Sequence, residues 1–150
     1  MIKLKESSVL EYLQALNIFE DVDWDAAQAQ EVKEYTNVNF VFSVVLNSSR
    51  YKKIYIKQAF DYVKVAPDFP APIERQFYEK STIGYLQKFW GGRIPKIIHY
   101  DRDNNVLIIT DVGKNAKLLA EEIKNGQLHF EIGSDLGLMM AELHYPTFDK

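Results

Sequence analysis

At 150 residues the chain is one domain's worth, able to bury roughly two thirds of its unfolded surface. Eighteen basic against 21 acidic residues give a formal charge of -3, so there is no basic field to draw nucleic acid. With no cysteine, disulfides, thiolate catalysis and thiolate metal sites are excluded.

The opening MIKLKESS lacks the apolar run of a signal peptide. No stretch of 18 apolar residues follows, so the expectation is a soluble cytoplasmic protein with no membrane partner. Ser8 and Glu11 have the spacing of a capping box. Val9, Leu13 and Leu16 then share one helix face, and Asn17 is the expected stop. Glu20 to Gln30 reads as loop with a short helix, anchored by Trp24.

From Glu31 to Gln58 the period drops toward two, with Val32 as the expected start of a first strand. Val38 to Leu46 is the clearest strand, Asn47 to Arg50 a turn, and Tyr51 to Gln58 the returning strand. Lys57 lies near the end of that strand on the face of Tyr55, opposite Ile54 and Ile56. A lysine so placed either snorkels to solvent or reaches a fixed anion such as a nucleotide phosphate. Asp61 to Pro72 holds three prolines and reads as a loop without regular structure. A helix from Pro72 to Phe89 offers Ile73, Phe77, Tyr78, Tyr85, Leu86 and Phe89 for burial. Gly84 weakens it, and Gly91-Gly92 ends it.

Pro95 to Tyr100, the turn Asp101 to Asn105 and the strand Val106 to Thr110 form a second hairpin. Lys117 to Lys124 closes on Asn125-Gly126, a helix C-terminal signature. Ile132, Leu136, Met139 and Leu143 then make an apolar stripe. The fold class is therefore α+β, a small antiparallel sheet backed by the Pro72 to Phe89 helix. The last two helices are expected to begin something else.

Several local patterns combine. NVNFVFSV, YIKQA, PAPIERQFYE and IPKIIHYDRDNNVLIITDV together resemble the N-terminal lobe of the aminoglycoside phosphotransferase and choline kinase superfamily, which has a protein-kinase-like fold. Within it the chain most resembles methylthioribose kinase, a small-molecule kinase of methionine salvage. The final AELHYPT is similar to an Ala-x-Leu-His turn of the C-terminal lobe. The resemblance implies a nucleotide-side lobe over residues 1–112, with linker and first C-terminal-lobe helices over 113–150.

It also implies roles. Lys57 would pair with the phosphates of ATP and Glu79 would hold it, with Glu74 as the alternative partner. Thr36, Asn37 and Asn39 would belong to the turn over the phosphates. Thr36 and Asn37 stand where the family carries glycine, and Asn37 is the residue expected to accept the left-handed region. Ile109, Thr110, Asp111 and Val112 would form the linker that receives the adenine edge. Lys64 reads as a solvated loop lysine rather than a phosphate ligand. Arg75 either braces the phosphate side or covers the helix surface.

The catalytic carboxylate and the magnesium ligands of such kinases belong to the C-terminal lobe, and no segment after Asp111 matches them. No catalytic residue is therefore assigned, and His99 and His144 are read as structural, not as metal ligands. Three readings follow. The chain is the ATP-binding part of a phosphotransferase acting on a sugar hydroxyl, inactive alone, and Phe148-Asp149-Lys150, without cap or polar tail, favours that. Alternatively it is a non-catalytic scaffold that pairs with itself through Ile132, Leu136, Met139 and Leu143, or it is a plain α+β domain. In the first reading the partner of that stripe is the missing lobe.

Overall fold

The computed structural model describes residues 1–113, 116–127 and 129–148, so Asp149 and Lys150 at the chain end lie outside the described residues. The chain runs α1 (Val9–Ala15), β1 (Gln28–Glu31), β2 (Phe40–Val45), β3 (Lys53–Gln58), β4 (Tyr62–Val63), β5 (Ala66–Pro70) and α2 (Arg75–Trp90). It continues with β6 (Ile97–Asp101), β7 (Val106–Thr110), α3 (Leu119–Lys124), α4 (Phe130–His144) and a 3-10 turn at Tyr145–Thr147. Five strands form one antiparallel sheet in the order β1-β2-β3-β7-β6, and β4 pairs with β5 in a separate ribbon. None of the described helices is long and apolar enough to cross a membrane.

Strand alternation decides which face is dry. Phe42 and Val44 of β2, Ile54 and Ile56 of β3, and Val106 and Ile108 of β7 point to one side. There they meet Leu4, Val9, Leu13 and Leu46 in the central core. Each such side chain contributes roughly 1.5–3 kcal/mol on burial. The helix that covers this face is α1, with Trp24, Phe19 and Tyr51 packed around it. The sheet is therefore covered on both faces, by α1 here and by α2 on the other. The α2 helix packs along β6 and β7, on the side that carries Lys57.

Several local expectations change. Ser8 makes no capping bond to α1; its hydroxyl accepts from the Lys5 amide at 3.1 Å. The chain is already coiled there, with the amides of Ser8 and Val9 on the Lys5 carbonyl at 3.0 and 2.9 Å, and the Ser8 hydroxyl is turned back to Lys5 instead of forward to the helix. Asn17 does end the helix, at φ 51. The Glu20 to Gln30 stretch turns at Trp24 and enters β1 without a helix.

The proline-rich Asp61 to Pro72 segment is not irregular. It forms the β4–β5 ribbon, closed by the Ala71 amide on the Asp61 carbonyl at 2.8 Å. A two-stranded ribbon has only edges, where Pro67 and Pro70 need donate nothing. On α2 the buried positions are Gln76 and Trp90, whereas Phe77, Tyr78 and Tyr85 are exposed. Orienting Glu79 toward the sheet goes with inward positions at Arg75, Gln76 and Ile83, three or four residues away, and not with those aromatics.

The α3 helix closes at Gly126 with φ 78, as the Asn-Gly pair predicts. In the stripe on α4, Ile132, Met139 and Leu143 are half-buried while Leu136 is exposed. The α4 helix packs against α2, and Arg93 lies 3.8 Å from Glu142.

Candidate functional site

Lys57 stands opposite Val41 on β2 and Leu107 on β7. Alternation puts Tyr55, Lys57, Leu107 and Ile109 on the face away from α1. One turn into α2, Glu79 points back at the sheet and forms an ion pair with the Lys57 ammonium. The two side chains are 24% and 27% exposed, so the pair is braced by protein yet open to solvent. Glu74, the alternative partner, is the exposed residue before α2.

The carboxylate is itself held. Glu79 Oε2 accepts from Gln76 Nε2 at 3.2 Å, and Gln76 Oε1 accepts from Asn39 Nδ2 at 3.5 Å. Asn39 Oδ1 accepts from Arg75 Nε at 2.8 Å. A continuous polar relay therefore joins the expected phosphate turn to the strand lysine. Of the residues in this relay, Lys57, Glu79, Asn39 and Arg75 are named by the sequence reading, whereas Gln76 is not, because a buried glutamine in a helix carries no sequence signal.

The turn before β2 is fixed from its other side as well. The Lys64 and Val65 amides donate to the Val38 and Asn37 carbonyls at 3.1 and 3.2 Å. Thr36 Oγ1 donates to the Val32 carbonyl at 2.6 Å and receives Lys64 Nζ at 3.3 Å. Lys64 is not a solvated loop residue. It is 13% exposed and paired with Glu31 at 2.8 Å. Nor does Asn37 take the left-handed region; Tyr35 does, at φ 57, because the chain reverses one step earlier than glycine placement implied.

In the expected linker, Ile109 is buried opposite Tyr55 and Thr110 stays in the sheet opposite Ile54. The Thr110 amide donates to the Lys96 carbonyl at 2.9 Å, and the Asp111 amide to the Lys53 carbonyl at 3.4 Å. Exposed Val112 and Gly113, at φ 140, carry the chain off the sheet. Of the linker, Ile109 thus shares the Lys57 face, two strand positions away, while Thr110 alternates to the other.

An open cleft of about 500 Å³ lies nearby, lined by Glu34, Tyr35, Glu121, Lys124 and Asn125. It contains neither Lys57 nor Glu79, and its two carboxylates against one lysine are a poor match for phosphate. The lysine pair is the better centre for anion chemistry. His99 lies on β6 and His144 at the end of α4. Among the described residues no three His, Asp or Glu side chains are grouped as a metal site would need.

No family model matches the chain. A 4-hydroxytryptamine kinase of Psilocybe cubensis is 30% identical over 121 residues, covering 71% of this chain and 33% of that protein. The chain spans about one third of the length of the curated relative it matches. The similarity points to a kinase-like family and does not extend to methylthioribose as substrate. The five-stranded antiparallel sheet with its helices is compatible with the nucleotide-side lobe of a kinase.

Proposed function

We propose that this chain is the nucleotide-side part of a small-molecule kinase and that Lys57 meets the phosphates of ATP. The observation that carries the proposal is the Lys57–Glu79 pair, bridging strand and helix beside the turn Thr36 to Asn39. An ammonium directed by a carboxylate keeps a fixed position while its remaining protons stay available to an anion. Its partial exposure on the face not covered by α1 fits a phosphate. Thr36, Asn37 and Asn39 would cover the phosphates, and Ile109, Thr110, Asp111 and Val112 would border the base. ATP, with magnesium, supplies the phosphoryl group.

The acceptor class we propose is a hydroxyl on a small molecule. The sequence resemblance favours methylthioribose, and the relative's name favours a hydroxytryptamine; the hydroxyl is what the two share. The carboxylate that orients the hydroxyl and the groups that hold magnesium are expected outside these residues, so the chain alone should bind ATP without transferring phosphate.

Calorimetric titration of the chain with MgATP, beside Lys57→Met, tests the reading. Saturable binding that weakens at least about tenfold in the variant supports it. No binding by the folded wild-type chain, or equal binding by both, overturns it.

A further inference from the structure

We infer that Arg75 is a positioning residue that locks the turn Thr36 to Asn39 to α2, and through Gln76 and Glu79 to Lys57. The inference rests on the proposed nucleotide site for its purpose, but the locking itself is measurable without nucleotide.

The guanidinium is used as a hub. Nε donates to Asn39 Oδ1 at 2.8 Å; Nη1 donates to the carbonyls of Phe60, Ala71 and Pro72 at 2.5, 3.2 and 2.8 Å; Nη2 donates to the Tyr62 carbonyl at 3.3 Å. A residue that merely covers a helix surface would lay its stem on apolar neighbours and leave its head in water. Here the head is engaged by neutral acceptors from four backbone positions and one side chain. A planar fork with five donors can satisfy such a set, and a lysine ammonium cannot.

The carbonyls come from the two ends of the β4–β5 ribbon, and the ribbon's own tip bonds the Asn37 and Val38 carbonyls. The contacts therefore close a ring from Arg75 to Asn39, along the turn, into the ribbon and back to Arg75. Next in sequence, Gln76 receives Asn39 and donates to Glu79. A glycine turn settles onto phosphate by being flexible. This turn lacks glycine and is preset instead, by side-chain ties at one end and ribbon amides at the other.

Millisecond hydrogen exchange of the Thr36 to Phe40 amides, with MgATP titrations alongside, tests this on Arg75→Lys, Asn39→Ala and the double variant. Arg75→Lys is expected to speed exchange in the turn about tenfold while β3 and β7 keep their protection. Asn39→Ala, which leaves the four carbonyl bonds in place, should do the same, and the double variant should add little. MgATP affinity should fall about tenfold in each.

Unchanged turn exchange in either folded variant overturns the inference. Should Arg75→Lys not fold, Asn39→Ala decides alone. Faster exchange with no MgATP binding by the wild type sinks the nucleotide reading and leaves the positioning role standing. Binding by the wild type that both variants retain in full keeps the nucleotide reading and overturns this one.

Discussion

Lys64 and Glu31 form an ion pair at 2.8 Å between the β4–β5 ribbon and β1, and the same ammonium lies 3.3 Å from Thr36 Oγ1. One cation thus serves a strand, a turn and a ribbon that are far apart in sequence. Its ring contact with Phe40, at 5.4 Å, adds an aromatic wall to the same pocket.

Because Lys64 is largely buried, its loss should be felt more than that of a surface charge. Lys64→Met is expected to lower stability by about 1–2 kcal/mol, between the values of an exposed and a fully buried pair. Glu31→Gln should cost at least as much, because it leaves that ammonium, only 13% exposed, without its carboxylate. Urea unfolding of the two variants and of the double variant checks this. Simple additivity of the two losses would mean that the pair does not act as a unit.

The Lys57–Glu79 pair should behave in the opposite way. Both groups are about a quarter exposed, so its net worth to the fold is about 0–1 kcal/mol. Glu79→Gln should leave the unfolding midpoint almost unmoved while MgATP affinity falls, because the ammonium loses its aim rather than its charge. A stability loss above about 2 kcal/mol would assign the pair to the fold instead of to a site.

Which parts were legible follows from how local their causes are. The β2–β3 hairpin, the turn at Asn105 with φ 49 and the end of α3 at Gly126 are written in short-range periodicity and turn chemistry. Lys57 and Glu79 were legible because each sits inside a motif. The ribbon was hidden by Pro67 and Pro70, which argue against a ladder unless both strands are edges. The roles of Gln76, Arg75 and Lys64 depend on partners 13 to 37 residues away, so no short window of sequence contains them. The inward face of α2 was misassigned for a related reason. Aromatic side chains weigh heavily in any burial argument, yet the helix rotation is set by Gln76 and Glu79.

Gly84 offers a stabilising change. It lies within α2, and a Cβ added there would meet Ile97 Cδ1 at 3.8 Å, an ordinary contact. Gly84→Ala should therefore raise stability by about 1 kcal/mol through helix propensity, without strain. Thermal unfolding reads this as a higher midpoint. A lower one would show that α2 approaches β6 more closely than 3.8 Å allows.

Tyr12 and Asp101 give the chain a pH signature. The Tyr12 hydroxyl donates to Asp101 Oδ2 at 2.9 Å, tying α1 to the end of β6. Burial, then the bond to Asp101 and its charge, push the Tyr12 hydroxyl well above its ordinary value of 10.0. Burial pushes Asp101 up, but bonds from the Asn104 side chain and amide, the Tyr12 hydroxyl and the Asp103 amide outweigh it, and its carboxyl sits below 3.8. A depressed carboxyl stabilises the fold fully above its unfolded value, near pH 4, and that contribution is lost as pH falls through the folded value. A raised tyrosine stabilises fully below pH 10, and that contribution is lost as pH rises through the folded value. The pair therefore gives its whole benefit between those limits. Tyr12→Phe should cost about 1 kcal/mol at neutral pH, and the gap from wild type should narrow as Asp101 is protonated. Urea unfolding at pH 7 and at successively lower pH until Asp101 is protonated measures the gap, and a gap that stays constant throughout would mean that Tyr12 acts through packing alone.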